Sequence, residues 1–366
     1  MRITFVLPHA GPAGGIRVIA IYAQRLRQRG HEVTVVSTPR KKPPFRRQIR
    51  QLLTEGKWPW QGPGVSHFDG VNIDHRVIDR LRPIVDSDVP DADVVIATWW
   101  ETAEWVWQLS PSKGVKIHFM QDYEIWAGQI DRVDATCRLP MPKITTAQWL
   151  VNLLREKFNF TDVTIAPNAV DLERFHAIPR DKQPTPTVGF TYTSFRNKGC
   201  DIAIAACEQA RSKIPNLKVV SFGSSEISRD LRLPVGAQFY HNAPDEQLRE
   251  IYAMCDAWLF GTRVEGFGLP ILEAMACRTP VIGTPAGVAP EMLSKGGGIL
   301  VPHEDPASMA RAIEQIAQMD GPSWREMSDK AYMTVSRYSW NDATDIFEGA
   351  LRRAVEGSRL ASKVTA

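Results

Sequence analysis

The sequence predicts an α/β protein of two doubly wound, Rossmann-like domains facing a central cleft. Three observations predict it. The chain opens on strand, glycine turn, helix and strand, a βαβ unit that implies a parallel sheet. The same alternation starts again after a proline-rich break, IPRDKQPTPT. The 366 residues suit two domains of roughly 100–200 residues each.

The elements follow in order. Arg2 to Pro8 is a short apolar run ending in turn residues, as a buried strand does. A glycine turn, Gly11 to Gly15, leads into a helix over Ile16 to Arg29. Ile16, Ile19, Ala20, Ala23 and Leu26 line one face of it, and Gly30 ends it. Glu32 to Ser37 is the next strand. Further strands are expected at Val94 to Thr98, Val115 to Met120 and Val163 to Ala166, with a helix over Thr146 to Lys157. Beyond the proline-rich break, strands are expected at Thr187 to Thr193, Leu217 to Phe222, Ala257 to Gly261 and Pro280 to Gly283. Helices are expected at Asp201 to Ala210, Asp245 to Met254, Pro270 to Ala276, Ser308 to Gln318 and Trp340 to Arg353. Pro270 stands at the first helical position that proline favours. The domains are expected at 1–175, joined by a C-terminal helix at 340–366, and at 176–339. In such sheets ligands bind at the carboxyl ends of the strands.

Composition narrows the function. Hydrophobic residues at 43% and charged residues at 23% fit a globular chain rather than a disordered one. A formal net charge of +3 carries no nucleic-acid signature. The five cysteines form no Cys-x-x-Cys pair, which argues against a disulfide framework or structural zinc and fits a reducing cytoplasm. The opening MRITFVLP is too short an apolar run for a signal peptide. No stretch has the roughly 18 apolar residues of a spanning helix.

The most informative segment is Arg263-Val-Glu265-Gly-Phe-Gly-Leu-Pro-Ile-Leu-Glu273-Ala-Met-Ala. A strand ends before it and a helix starts near Pro270, which puts Glu265 in the loop and Glu273 in the first helical turn. Gly266 and Gly268 permit close approach of a ligand. Free N–H groups near Leu269 to Leu272 make an anion site, reinforced by the helix dipole, that suits a diphosphate. Two acids beside a phosphate site make sense as acceptors from hydroxyls, which sugars supply. The bland alternative has Glu273 as a helix-start carboxylate and Glu265 as a solvated loop acid.

On these residues the chain resembles the retaining GT-B glycosyltransferases of family four, the glycogen synthase and mannosyltransferase-like superfamily. The likeness extends over nearly the whole chain and is strongest at EGFGLPILEAMA. It implies that Glu265 contacts the transferred sugar and Glu273 the ribose, with Gly266, Phe267, Gly268 and Leu269 completing the donor loop. Lys198-Gly199 matches the family's diphosphate lysine. The family's arginine usually follows the strand glycine, where this chain has Phe190, and Arg196 is the candidate substitute. Gly14 and Gly15 resemble the N-terminal loop that approaches the acceptor and the donor phosphate. Pro167-Asn-Ala-Val-Asp171 with Phe175, and Gly298-Ile-Leu-Val-Pro302 with Asp305, are similar to further family segments. Arg278 stands in a turn where members commonly carry glycine. On the acceptor side many members have His-Asp; here Gln121-Asp122 stands instead, within a QDYE segment similar to a rhamnosyltransferase-like subset. Asp122 either orients an acceptor hydroxyl or takes its proton. His118 reads as a packed interior residue.

The resemblance implies transfer of a hexose or deoxyhexose from a nucleotide-sugar donor to a glycan or lipid-linked acceptor, in cell-surface polysaccharide synthesis. The first domain would hold the acceptor and the second the nucleotide sugar. Catalysis would rest on Glu265, Lys198 and Asp122 by front-face attack, the departing phosphate accepting the proton. No cofactor is expected. No His/Asp/Glu set has metal-ligand spacing, and Asp91-Ala-Asp93 precedes a strand as a turn would.

Residues 40–60 interleave seven basic residues, from Arg40 to Lys57, with Phe45, Leu52, Leu53, Trp58 and Trp60. They read either as a loop resting on an anionic membrane, from the cytoplasmic side, or as a solvated loop. Trp99, Trp100, Trp105 and Trp107 are clustered and read mainly as core. Three rivals stay in view. One is a non-catalytic nucleotide-sugar or glycan-binding protein. Another is a nucleotide-sugar epimerase or phosphorylase on the same fold. The third is a nicotinamide enzyme, which GPAGGI fits poorly.

Overall fold

The computed structural model describes residues 1–41, 49, 52, 66–127 and 129–364. It forms two compact units, Met1–Ala166 with Thr344–Ala366, and Pro167–Ala343. The basic stretch 40–60, apart from Arg40, Lys41, Ile49 and Leu52, lies outside the described residues. Among the described residues no helix is long and apolar enough to cross a membrane.

The first unit is built on a seven-stranded sheet of order β3-β2-β1-β4-β5-β6-β7. The strands are β1 (Arg2–Leu7), β2 (Glu32–Ser37), β3 (Asp74–Val77), β4 (Val94–Ala97), β5 (Val115–Met120), β6 (Lys143–Thr145) and β7 (Val163–Ile165). All pairings are parallel. Between β1 and β4 the order reverses, which opens a crevice at their carboxyl ends. β1 and β4 are buried almost throughout, as expected of central strands covered on both faces. Asp93 accepts the Arg2 N–H at 2.7 Å and Asp91 pairs with Lys113, so this pair of acids holds a turn.

The C-terminal helix, Trp340–Val364, belongs to this unit from Thr344 onward. Its Phe347 packs 4.3 Å from the ring of Tyr22 and edge-on to Phe119 at 5.1 Å. Burying such a ring contributes about 1.5–3 kcal/mol. The next residue, Glu348, receives Arg29 and His31, each at 3.0 Å, and Arg352 at 2.5 Å. His118 is fully buried as expected. Burial, with Lys143 beside it, lowers its pKa to about 3, and its ring nitrogens have no hydrogen-bond partner. Lys143 lies on β6 opposite His118 and is buried too, donating to the carbonyls of Leu139 and Met141.

The second unit repeats the plan with order β10-β9-β8-β11-β12-β13. The strands are β8 (Thr187–Thr191), β9 (Lys218–Gly223), β10 (Gln238–His241), β11 (Ala257–Phe260), β12 (Val281–Gly283) and β13 (Gly298–Leu300). Again all are parallel, and the order reverses between β8 and β11. Phe190, in the position where an arginine was sought, is 1% exposed and part of the core. The proline-rich stretch is no free linker. Arg180 donates to Thr279 at 3.0 Å and lies over the Trp324 ring, Lys182 donates to the Met319 carbonyl, and Gln183 N–H bonds to Asp256. Phe175 is buried against Tyr252. The two compact units divide at Ala166–Pro167, and Phe175 packs within the second.

Arg278 adopts φ +59, the left-handed region in which glycine carries no penalty. Its guanidinium supplies what glycine lacks: a bond to the Ala177 carbonyl at 3.0 Å, an ion pair with Asp329, and a seat over the Tyr332 ring at 4.4 Å.

Arg278→Ala keeps the strained backbone and loses these contacts, so stability should fall by about 1–2 kcal/mol. Arg278→Gly loses the same contacts but relieves strain of about 1 kcal/mol, and should lie between alanine and wild type. Denaturant midpoints check the order; glycine below alanine would refute the strain account. For Glu348, burial alone would push the carboxyl up, but the bonds from Arg352, Arg29 and His31 bring it down to about 2 from 4.5. Between those values the unfolded chain binds more protons, so the stabilisation is present above pH 4.5 and is lost as pH falls toward 2. The stability advantage of wild type over Glu348→Gln should shrink across that window in acid titrations of unfolding.

Candidate active site

The residues singled out from the sequence gather at the switch points of the two sheets. In the second unit, Lys198 follows β8 and Glu265 follows β11, and these strands are neighbours. Their loops meet where Gly199, at φ +62, passes Gly261. A Cβ on Gly199 would lie 1.8 Å from the Gly261 carbonyl oxygen, so only glycine permits the approach. The Arg263 N–H then bonds to the Asn197 carbonyl at 2.8 Å. The Arg263 guanidinium grips Asp201 at 2.8 and 2.7 Å and Glu304 at 2.9 Å, and donates to the Arg196 carbonyl at 2.6 Å. Asp201, then Glu304, hold this guanidinium well above its ordinary pKa.

On this brace Lys198 Nζ stands 2.6 Å from Glu265 Oε2. The Glu265 side chain is 17% exposed and that of Lys198 43%. Glu265 is thus a paired, mostly covered acid, not a solvated one. Arg196 lies exposed at the rim of the same loop. Gly266, Phe267 and Gly268 form the turn after Glu265, and all three are buried. The Phe267 carbonyl accepts Val288 N–H at 2.8 Å, and Gly287 passes so close that a Cβ there would meet this carbonyl at 2.3 Å. Gly268 is left-handed at φ +102 and starts the helix Leu269–Ala276.

Two expectations about that helix change. Pro270 has no N–H and the Ile271 N–H bonds to Gly268 O at 3.0 Å, so fewer amides point outward than the run Leu269 to Leu272 suggested. Glu273 lies beyond the first turn of a helix that begins at Leu269, so it is not a dipole-capping acid. It is 7% exposed and Oε2 accepts the Tyr252 hydroxyl at 2.9 Å. A buried carboxylate oriented by tyrosine is preset to receive hydroxyl donors.

In the first unit the matching edge is formed by the loops after β1, β4 and β5. Gly14 and Gly15 open the helix Gly14–Gln28, whose start has no side-chain cap and no acid in its first turn. Gln121 Nε2 donates to the Gly15 carbonyl at 3.1 Å, joining the loops after β1 and β5. Asp122 accepts Tyr123 N–H at 2.8 Å and the Trp126 indole N–H at 3.1 Å. Glu124 is 3% exposed and accepts Trp100 N–H at 3.2 Å. Burial, helped by Asp122, pushes its pKa well above the usual carboxylate range. Of the candidates, Gly14, Gly15, Gln121 and Asp122 belong to the first unit and the rest to the second.

Sequence reasoning gave no role to Arg263, Tyr252, Gly287 or Glu124. Each acts through a partner distant in the chain, and only the adjacent placement of the glutamates and glycines signalled the region.

Residues 173–333 match the family described as glycosyl transferases group 1. The D-inositol 3-phosphate glycosyltransferase of Corynebacterium kroppenstedtii is 29% identical over 185 residues, 45% of this chain and 41% of that protein. The O-antigen chain mannosyltransferase B of Escherichia coli is 32% identical over 102 residues, 28% of this chain and 26% of that protein. The chain thus spans less than half the length of these two relatives. In fold it is similar to Anabaena HepE, solved in complex with UDP and glucose, with a TM-score of 0.72, 17% identity, and coverage of 96% of this chain and 100% of that one. Two parallel sheets of repeated strand order give the chain the GT-B fold, and the region that matches the group 1 family, residues 173–333, carries Lys198, Glu265 and Glu273.

Proposed function

We propose that the chain transfers a hexose or deoxyhexose from a nucleotide sugar to a hydroxyl of a glycan or lipid-linked acceptor, with retention and without a metal. The observation that carries this is the Lys198–Glu265 pair at 2.6 Å, set at the carboxyl ends of two adjacent central strands. A cation held there can neutralise a leaving diphosphate, the charge that grows in the transition state. Arg196, exposed on the same loop, adds to it. The start of the helix Leu269–Ala276 offers its dipole to the same anion. Glu265 would then accept from hydroxyls of the transferred sugar. Glu273, preset by Tyr252, would accept from the ribose.

On this reading the second unit holds the donor. The first unit holds the acceptor, with Gly14, Gln121 and Asp122 at its edge and Gly15 toward the donor phosphate. Both Asp122 oxygens already accept protein N–H groups, which favours orienting the acceptor over removing its proton. The departing phosphate accepts that proton in a front-face displacement. A role in surface polysaccharide synthesis is supported by the likeness to the O-antigen mannosyltransferase. Bound UDP in HepE makes UDP-sugars the first donors to test.

Lys198→Ala removes a half-exposed ion pair worth about 0.2–1 kcal/mol, so its melting temperature should barely move. Its kcat should fall by about 10²–10³. Steady-state kinetics with a chelator present measure both points, and the wild-type rate should be unchanged by the chelator. Unaltered kcat in the variant would remove Lys198 from the chemistry. Glu273→Gln keeps an oxygen for Tyr252 but loses the charge. Donor affinity, read by thermal shift against UDP-, GDP-, ADP- and dTDP-sugars, should weaken by about 1–2 kcal/mol. Equal shifts in wild type and variant would refute the ribose role.

A further inference from the structure

We propose that Trp126, braced by Trp99, is a stacking platform for a pyranose ring of the acceptor, with Asp122 at the ring's hydroxyl edge. The proposal rests on the glycosyltransferase reading and assigns the acceptor's recognition surface in the first unit.

Trp126 is 52% exposed, whereas Trp100, which opens the helix Trp100–Gln108, is 4% exposed. A single exposed apolar side chain is ordinary, so exposure alone carries nothing. Three further features do. The first is what the ring offers. Its indole N–H is already bonded to Asp122 Oδ2 at 3.1 Å, so what the exposed ring offers a ligand is aromatic carbon and not a free N–H. The second is rigidity. Trp126 meets Trp99 edge-on, 5.4 Å between centroids at 66°. The Trp99 backbone is held in place: its main-chain N–H donates to Thr102 Oγ1 at 2.9 Å, and that hydroxyl donates back to the Trp99 carbonyl at 2.8 Å. The next residue, Trp100, is tied to the buried Glu124. Tyr123, between Asp122 and Glu124, is held by Asp134 and Lys157. A surface aromatic fixed before binding has little rotamer freedom left to lose.

The third feature is place. The platform lies on the segments after β4 and β5, beside the loop after β1, which Gln121 reaches. That is the switch-point edge where ligands of such sheets bind. An apolar face with a carboxylate at its rim matches one class of ligand well. The C–H face of a pyranose lies on the ring, and its hydroxyls donate to the acid. A phosphate group would be repelled by Asp122, and an alkyl chain would offer this carboxylate no donor beyond the protein N–H groups it already accepts.

The test uses the full chain carrying 5-fluorotryptophan, with methyl α-pyranosides of glucose, mannose and rhamnose as probes, in the presence of the nucleoside diphosphate that raises its melting temperature. Trp126→Phe identifies the Trp126 fluorine resonance by its disappearance. That resonance should shift on adding at least one pyranoside, and saturation transfer should reach the ring C–H protons of the same probe. Trp126→Ala should lower this transfer severalfold, Trp126→Phe should retain most of it, and Trp107→Ala, an exposed tryptophan elsewhere, should leave it unchanged. With a competent acceptor, Trp126→Ala should raise acceptor KM by about tenfold, equivalent to about 1.4 kcal/mol, while donor KM stays constant. A Trp126 resonance unmoved by every pyranoside, while nucleotide binds, overturns the platform. So does a shift produced only by alkyl phosphates or detergent monomers. Failure of every nucleotide and nucleotide sugar to bind the wild type would overturn the glycosyltransferase reading instead.

Discussion

Two glycines passing each other hold the second unit's candidate site together. Gly199, with a left-handed backbone, lies against the Gly261 carbonyl at a distance no side chain would allow. That contact lets the loops after β8 and β11 touch. Once they touch, Arg263 reaches the Asn197 and Arg196 carbonyls and grips Asp201 and Glu304. Only then does Lys198 stand beside Glu265. The ion pair itself adds little to stability, being half exposed. Its position depends on backbone packing beneath it, so the charges are supported by the fold rather than supporting it.

The two units solve the same topological problem with different materials. In each, the strand order reverses beside the first strand, and the loops from the central strands converge at one edge. The second unit fills that edge with charge and close-packed glycine turns, suited to an anion and its hydroxyl-bearing neighbours. The first fills it with aromatic rings, an amide and two carboxyls, one of them buried and pushed well above its ordinary pKa. A cation-rich edge and an aromatic edge with a carboxylate rim select different ligands. That contrast is what the proposed division between an activated donor and a neutral, hydroxylated acceptor requires.

Where sequence expectation and structure part, the reasons are physical. β3, with the sequence Asp-His-Arg-Val, is an exposed edge strand and has no apolar run to find. β6 has three residues and carries Lys143, whose charge hides a strand that is fully buried. The helix Trp100–Gln108 was obscured by its tryptophans, which looked like core filler without a period. The proline-rich stretch has the composition of a linker, yet Arg180, Lys182 and Gln183 are anchored to groups far along the chain. Arg278 has a conformation usually left to glycine, and its contacts with Ala177, Asp329 and Tyr332 offset the strain.

By itself the sequence determined the repeated α/β plan, the central strands and the segment from Glu265 to Glu273, because apolar periodicity and glycine turns are local properties. Lys198 and the Gln121-Asp122 departure were marked by the resemblance to a known family, not by any local pattern. Tertiary structure alone decided that Glu265 is paired and Glu273 is buried against Tyr252, and that Arg263 is the brace. It alone set Trp126 out in solvent with its N–H tied to Asp122. These outcomes rest on contacts between residues distant in the chain. Such contacts arise from strand order and loop packing, which no local pattern encodes.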